Sequence, residues 1–405
     1  MTVAERFINY VKIHTASSED SEATPTTQRQ FDLSNRLADE MRTLGMENVR
    51  VDGHAYAYGE IPASAGCEGK SAIGLIAHLD TVPDFPGENV KPRIIENYDG
   101  RDVKLGDSGR VLEVSKFPHL ASLKGQTLIT TDGTTVLGAD DKAGIAVILS
   151  ACQQILEEKL PHGRIAVCFT PDEEVGHGAS LLDIDALGVD FAYTVDGEEL
   201  NEINYETFNA AAARFDVTGF NIHPGDAKGK MINASLVAME INSLLPGADV
   251  PSLTSGYEGF FHLTDMSGTV EKASLSYIVR DHSANSFEAR KEMLRHVEKT
   301  LNEKYGEDTV KLTVKEQYRN MAEVLESRME IVELAKKALK KAGLEPVCRP
   351  VRGGTDGSQL SFRGLPCPNL GTGGYSCHGP CEHITVQRLE KATEVVVDLI
   401  TLNAE

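Results

Sequence analysis

No run of this 405-residue chain approaches the ~20 apolar residues that a membrane-spanning helix needs. Its first residues, MTVAERFINYVKIH, carry Glu5 and Arg6 where a secretory leader would place its apolar region. Neither a membrane span nor a signal peptide is expected. Positive charge is the next shortage. Lys and Arg total 40 against 61 Asp and Glu, a formal charge of −21, which disfavours nucleic acid or an anionic membrane surface as partner. The excess reads first as solubility in a cytoplasm. Its second reading is attraction of cations, whether metal ions or the amino end of a peptide. CxxC pairs are also missing, and seven cysteines lie scattered from Cys67 to Cys381. An odd, unclustered set in a chain of this size points to reduced, mostly buried thiols in a cytosolic protein. Low-complexity tracts and repeats of fixed period are absent as well.

What is present is an ordinary globular composition, 41% hydrophobic and 25% charged, at a length that suggests two domains. Leu37, Met41 and Leu44 recur at helical spacing before Gly45. SAIGLIA (71–77), RIAVCFT (164–170) and DFAYTV (190–195) are short apolar runs of the kind that form strands buried on both faces. DKAGIAVILSACQQILEEKL supplies a helix between them. This alternation predicts an α/β sheet with helices on both faces. Residues 89–127, rich in Gly, Asp, Lys and Arg, read as a surface excursion, a hairpin at most. From Ala211 the pattern changes: ARFDVTG, EKASLSYIVRD and TVKLTVKEQ alternate as strands, while MINASLVAMEINSLL and SFEARKEMLRHVEKTLNEKYG read as helices. Two helices on an antiparallel sheet form an α+β insert, placed at 211–316. It divides a larger domain into residues 1–210 and 317–405.

Polar clusters fall at the carboxyl ends of the buried runs, where open α/β sheets build their sites. AHLDT carries His78 and Asp80, LGADDKAG carries Asp140 and Asp141, TPDEEVGHG carries Glu173 and Glu174, and TVDGEE carries Asp196. His378 lies in the late loop GGYSCHGPCEH. Taken singly, His78 reads as a hydrogen-bonded core histidine, Asp140 as a helix N-cap and Asp196 as a turn residue. Together they gather at least five carboxylates beside Lys142 and two histidines, and buried carboxylates are costly unless paired or bound to a cation. Two divalent metals resolve the conflict. The donor types, imidazole and carboxylate without thiolate, suit zinc in an open catalytic site and tolerate cobalt or manganese.

The motifs IAHLDTVPD, GADDKAG, TPDEEVGHG, HPGDAKGKMINA and RGGTDGSQLSFRGLPCPNL, together with a late His followed four residues on by Glu, resemble the dizinc aminoacylase/carboxypeptidase family of metallopeptidases. Within it they resemble the tripeptide-aminopeptidase subgroup, over essentially the whole chain. The resemblance implies a zinc-exopeptidase-like catalytic domain built on a mixed sheet, with the insert as a lid. It implies hydrolysis of short peptides; the same centre acting on dipeptides or N-acyl amino acids is the alternative, and a non-catalytic binding protein the weakest one. Asp140 would bridge two Zn²⁺, with His78 and Asp196 completing one site and Glu174 and His378 the other. Asp80 would orient His78, and Glu173 would be the base that takes a proton from the attacking water. His223 and Arg280 of the insert would bind the substrate's carbonyl or carboxylate, and Arg352, Gly353 and Gly354 would line the pocket. In that family the peptide bond after the bridging aspartate is cis, and the histidine of the insert can come from a neighbouring subunit, which leaves a homodimer open. The chain departs from the pattern at Cys377 and Cys381, which read as two small packed thiols. His383 competes with His378 as a ligand.

Overall fold

Three apolar runs, Ile73–His78, Ile165–Thr170 and Phe191–Val195, are buried along their whole length. In the computed structural model, which describes residues 1–197 and 199–405, they are neighbouring parallel strands at the centre of an eight-stranded sheet. Ala57–Ile61 and Glu47–Val51 extend one side antiparallel. On the other side Asn369–Leu370 runs parallel to Phe191–Val195, and Glu202–Asn204 pairs antiparallel with it. The sheet is therefore mixed. Side chains alternate between its faces: Ile73, Leu75 and Ala77 enter a core shared with the helices Val3–Val11, Ala139–Glu158 and Val386–Ala404. Ile76, Ala166 and Cys168 face the opposite way, toward Leu187 and Leu360 of two short helices. Both faces are covered, as strands without polar alternation require, and each fully buried aliphatic side chain contributes ~1.5–3 kcal/mol.

The chain divides into two compact units. The first comprises Met1–Tyr205, Glu323–Arg349 and Thr355–Glu405, and the second Glu206–Ala322 and Pro350–Gly354. The second unit is a four-stranded antiparallel sheet in the order Phe260–Gly268, Lys272–Asp281, Asn209–Thr218, Val310–Tyr318. The helices Ala234–Leu244 and Ala284–Tyr305 lay Val237, Ile241, Leu294, Val297 and Leu301 on Phe215, Leu275 and Val279. The strand Phe260–Gly268 has no counterpart in the sequence reading, because its later residues are exposed and show no alternation.

Residues 89–127 are more than a surface excursion. Val103–Lys104 and Val111–Leu112 do form a hairpin. Arg93–Ile95, however, joins Leu128–Thr130 and His383–Thr385 in a three-stranded sheet. Tyr98, Leu105, Leu112, Leu120 and Leu128 bury a small core beneath it. Its apolar residues are too widely spaced to show a period. Among the described residues no helix is long and apolar enough to cross a membrane.

Candidate active site

The carboxyl ends of the three central strands deliver the site. His78 is the last residue of its strand, Glu173 and Glu174 follow Thr170, and Asp196 follows Val195. Asp140 comes from the start of the helix Ala139–Glu158, where Asp140 and Asp141 depart from helical geometry and their peptide bond is cis. His378 lies in a late loop at φ +64°.

These side chains meet. His78 Nε2 lies 2.8 Å from Asp140 Oδ1 and 3.8 Å from Asp196 Oδ2. His378 Nε2 lies 3.1 Å from Asp140 Oδ2 and 3.0 Å from Glu174 Oε2. The two oxygens of Asp140 thus face two different donor sets. Donor atoms of His78, Asp140 and Glu174 lie within 4.8 Å of one another, as do those of His78, Asp141 and Asp196.

The adjacent glutamates are held through their backbones. Asp80, fully buried, accepts the Glu173 N–H at 3.0 Å and the Glu174 N–H at 3.2 Å. His78 Nδ1 is 3.1 Å from the Asp80 carbonyl oxygen and 3.4 Å from its carboxylate. The main chain of Asp80 therefore shares the orienting of His78, while its carboxylate chiefly grips the glutamate turn. From the other side Asp172, at φ +58°, accepts from Thr26 and Gln30.

The electrostatics are those of a cluster short of positive charge. Burial, then the charge of Asp140, pushes Asp196 up to about 8 and Glu174 up to about 7. Burial, reinforced by Asp356, Asp196 and Glu174, raises Glu173 well above the usual carboxylate range. Burial also works against ionised Asp140, but hydrogen bonds from His378 and His78 outweigh it and hold that carboxyl far below its ordinary value. The same bonds to Asp140 and Glu174 push His378 up to about 11. Lys142 does not neutralise the cluster: it is buried, donates to the Ile13 carbonyl at 2.8 Å, and burial pushes its pKa down to about 7. Imidazoles and mutually repelling carboxylates that share one bridging carboxylate fit a pair of divalent cations.

Residues 137–402 match Peptidase family M20/M25/M40. The chain belongs to that family. This M20/M25/M40 peptidase is 51% identical over 404 residues to Peptidase T of Clostridium perfringens strain 13, covering 100% of this chain and 99% of that one. It shares its fold with the solved aminopeptidase PepT of Bacillus cereus, with TM-score 0.79 and 24% identity over 100% of this chain and 98% of that one. A tripeptidase of Staphylococcus aureus has the same TM-score, 0.79, at 22% identity over 99% and 98%.

The remaining residues named from the sequence of this M20/M25/M40 peptidase lie in its second unit. His223 is exposed and its Nδ1 accepts the Gly225 N–H at 3.1 Å, which leaves the ring proton on Nε2. The Arg280 guanidinium donates to the carbonyls of Ala211 and Val279 and lies over the Tyr318 ring. Arg352 is spent on the carbonyls of Gly256 and Glu258 and on Thr254 Oγ1. Gly353 accepts the Phe208 N–H at 3.3 Å, and a Cβ on Gly354 would meet the Tyr318 ring at 2.9 Å.

His383 does not compete with His378. It is fully buried, its Nε2 lies 2.9 Å from His119 Nε2, and its ring stacks on His119. Cys377 and Cys381 form no disulfide and lie outside both donor groups. Asp141, left without a role by sequence reasoning, accepts the His78 N–H on Oδ2 at 3.2 Å and the Gly144 N–H on Oδ1 at 3.1 Å. It pins the helix start to the strand end. Asp356 is also buried beside the site, with Oδ2 on Thr170 Oγ1 at 2.8 Å and Oδ1 without a hydrogen-bond partner.

Proposed function

We propose that this chain is a dimetal aminopeptidase that releases the N-terminal residue of tripeptides. The observation that carries the reading is Asp140, one carboxylate whose two oxygens serve His78 on one side and His378 on the other. The chain's similarity to Peptidase T and to the aminopeptidase PepT supports the peptide substrate. His78, Asp140 and Asp196 would hold one cation, and Asp140, Glu174 and His378 the other; zinc is our assignment, with cobalt or manganese tolerated. Such a pair supplies Lewis acidity, which polarises the scissile carbonyl and acidifies water. Glu173 takes the proton of the attacking water and returns it to the leaving amine, a task its elevated basicity suits. Asp80 and Asp172 keep the turn bearing Glu173 in place from two sides. The insert 211–316 is assigned as a lid, with His223 donating to the carbonyl oxygen as charge develops there and Arg280 binding the peptide carboxylate.

The test is hydrolysis of Ala-Ala-Ala, Ala-Ala and N-acetyl-alanine side by side, by protein loaded with zinc or with cobalt. Preference for the tripeptide with release of N-terminal alanine is expected. Preference for the dipeptide or the acylated amino acid would move the centre to that substrate class. No hydrolysis of any of them would overturn the reading.

A further inference from the structure

Glu382 lies outside both donor groups, yet its carboxylate is buried at 1% exposure. Oε2 accepts the N–H groups of Leu137 and Gly138 at 2.6 and 2.8 Å, and Oε1 accepts that of Asp140 at 3.0 Å. Gly138 and Asp140 are among the donors that the start of a helix leaves without intrahelical partners, and Leu137 stands just before them. The helix Ala139–Glu158 has Gly138 at its N-cap, at φ +80° and without a side chain to cap them. Glu382 caps it from 242 positions away, and a carboxylate at that end is also favoured by the helix dipole.

The same residue belongs to the loop that presents His378. Tyr375 and His383 exchange backbone hydrogen bonds at 2.9 and 3.0 Å, closing the loop 376–382, and the Glu382 N–H returns to the Gly379 carbonyl at 3.2 Å. The base of the loop is braced by the buried His383 ring, which stacks on His119 and Tyr375. The backbone of Asp140 and the loop of His378 are therefore both referenced to one carboxylate. The outcome is visible at the tips of the two side chains, where His378 Nε2 lies 3.1 Å from Asp140 Oδ2.

We propose that Glu382 is a positioning residue for the dimetal centre, setting the separation of Asp140 and His378 by capping the helix that carries one from the loop that carries the other. The proposal rests on the dimetal reading above. Both carboxylate oxygens are needed, because an amide would keep one acceptor and present its NH₂ to a backbone N–H on the other side.

The experiment compares wild type, Glu382→Gln and Glu382→Asp as metal-stripped proteins, titrated with zinc against a chromophoric chelator, with kcat and KM for Ala-Ala-Ala measured across zinc concentrations. Two zinc ions should bind the wild type. Glu382→Gln should weaken zinc binding by ~10–100-fold, with activity recovered at high zinc and KM for the peptide unchanged. Glu382→Asp keeps the charge and should fall between the two. A residue that only supports the fold would lower the folded fraction without moving the zinc concentration needed. Folded Glu382→Gln or Glu382→Asp that binds two zinc ions as tightly as the wild type overturns the assignment of Glu382 alone. Wild-type protein that takes up no zinc overturns the dimetal reading and this one with it.

Discussion

Replacing Asp80 with asparagine changes almost no volume but removes an acceptor from a place with no spare donors. Oδ1 accepts the Glu173 N–H and Oδ2 the Glu174 N–H, at 3.0 and 3.2 Å, and the side chain is fully buried. An amide has one oxygen, so either orientation sets its NH₂ against one of those N–H groups. Losing a hydrogen bond to a charged acceptor costs ~1.5–3 kcal/mol, and an unpaired buried donor adds ~1–3 kcal/mol. A destabilisation of ~2.5–6 kcal/mol is therefore expected, unless the glutamate turn shifts to escape the clash. If the turn shifts, the cost moves into function: Glu173 and Glu174 leave their positions, and metal affinity or turnover falls by the ~10–100-fold typical of groups that orient ligands. His78 should suffer less, because its Nδ1 is closer to the main-chain oxygen of residue 80 than to the carboxylate. The assays are urea unfolding of metal-free protein, zinc titration, and kcat/KM for Ala-Ala-Ala. An Asp80→Asn protein that matches the parent in all three would refute the reasoning.

Glu173→Gln should keep the metal content of the parent while kcat falls by ~10²–10⁴-fold; metal analysis and turnover on one sample check it, and near-parental turnover would assign the base elsewhere. His223→Ala should lower kcat without changing metal content, and Arg280→Ala should mainly raise KM for peptides with a free C-terminus. Parental kinetics in both would remove the lid assignment. Burial, opposed by the Cys381 carbonyl and aided by His119, brings His383 down to about 4, below the ~6.5 of a free histidine. The folded state thus favours the neutral ring, so this stability is complete above pH ~6.5 and is lost as pH falls through about 4, amounting to ~3 kcal/mol. In His383→Phe the drop in melting temperature from pH 7 to pH 4.5 should be smaller than in the parent, and an equal drop would show that His383 does not carry it.

The central strands were legible because burial on both faces forces unbroken apolar runs; three of the proposed ligands, His78, Glu174 and Asp196, sit where those runs end, whereas Asp140 opens a helix and His378 lies in a loop. Helical periodicity likewise located the insert's two helices. Other features lie beyond any local pattern. The strand Phe260–Gly268 is half exposed, and the small core around Tyr98 and Leu120 draws on scattered residues. The work of Asp141 and Glu382 is done on backbone N–H groups, which leave no trace in residue type. Arg352 of RGGTDG is expected from the sequence to line the pocket, and its guanidinium donates to the carbonyls of Gly256 and Glu258 and to Thr254. Its partners are nearly a hundred positions away, and only the fold brings them to it.

His378 reaches Asp140 across 238 positions of sequence. A ribosome adding ~5–20 residues per second therefore releases every other proposed ligand well before the last one. Until then the nascent chain lacks the fifth donor and the cap on its catalytic helix. The proposed donor set is thus completed last by a residue translated long after the other four.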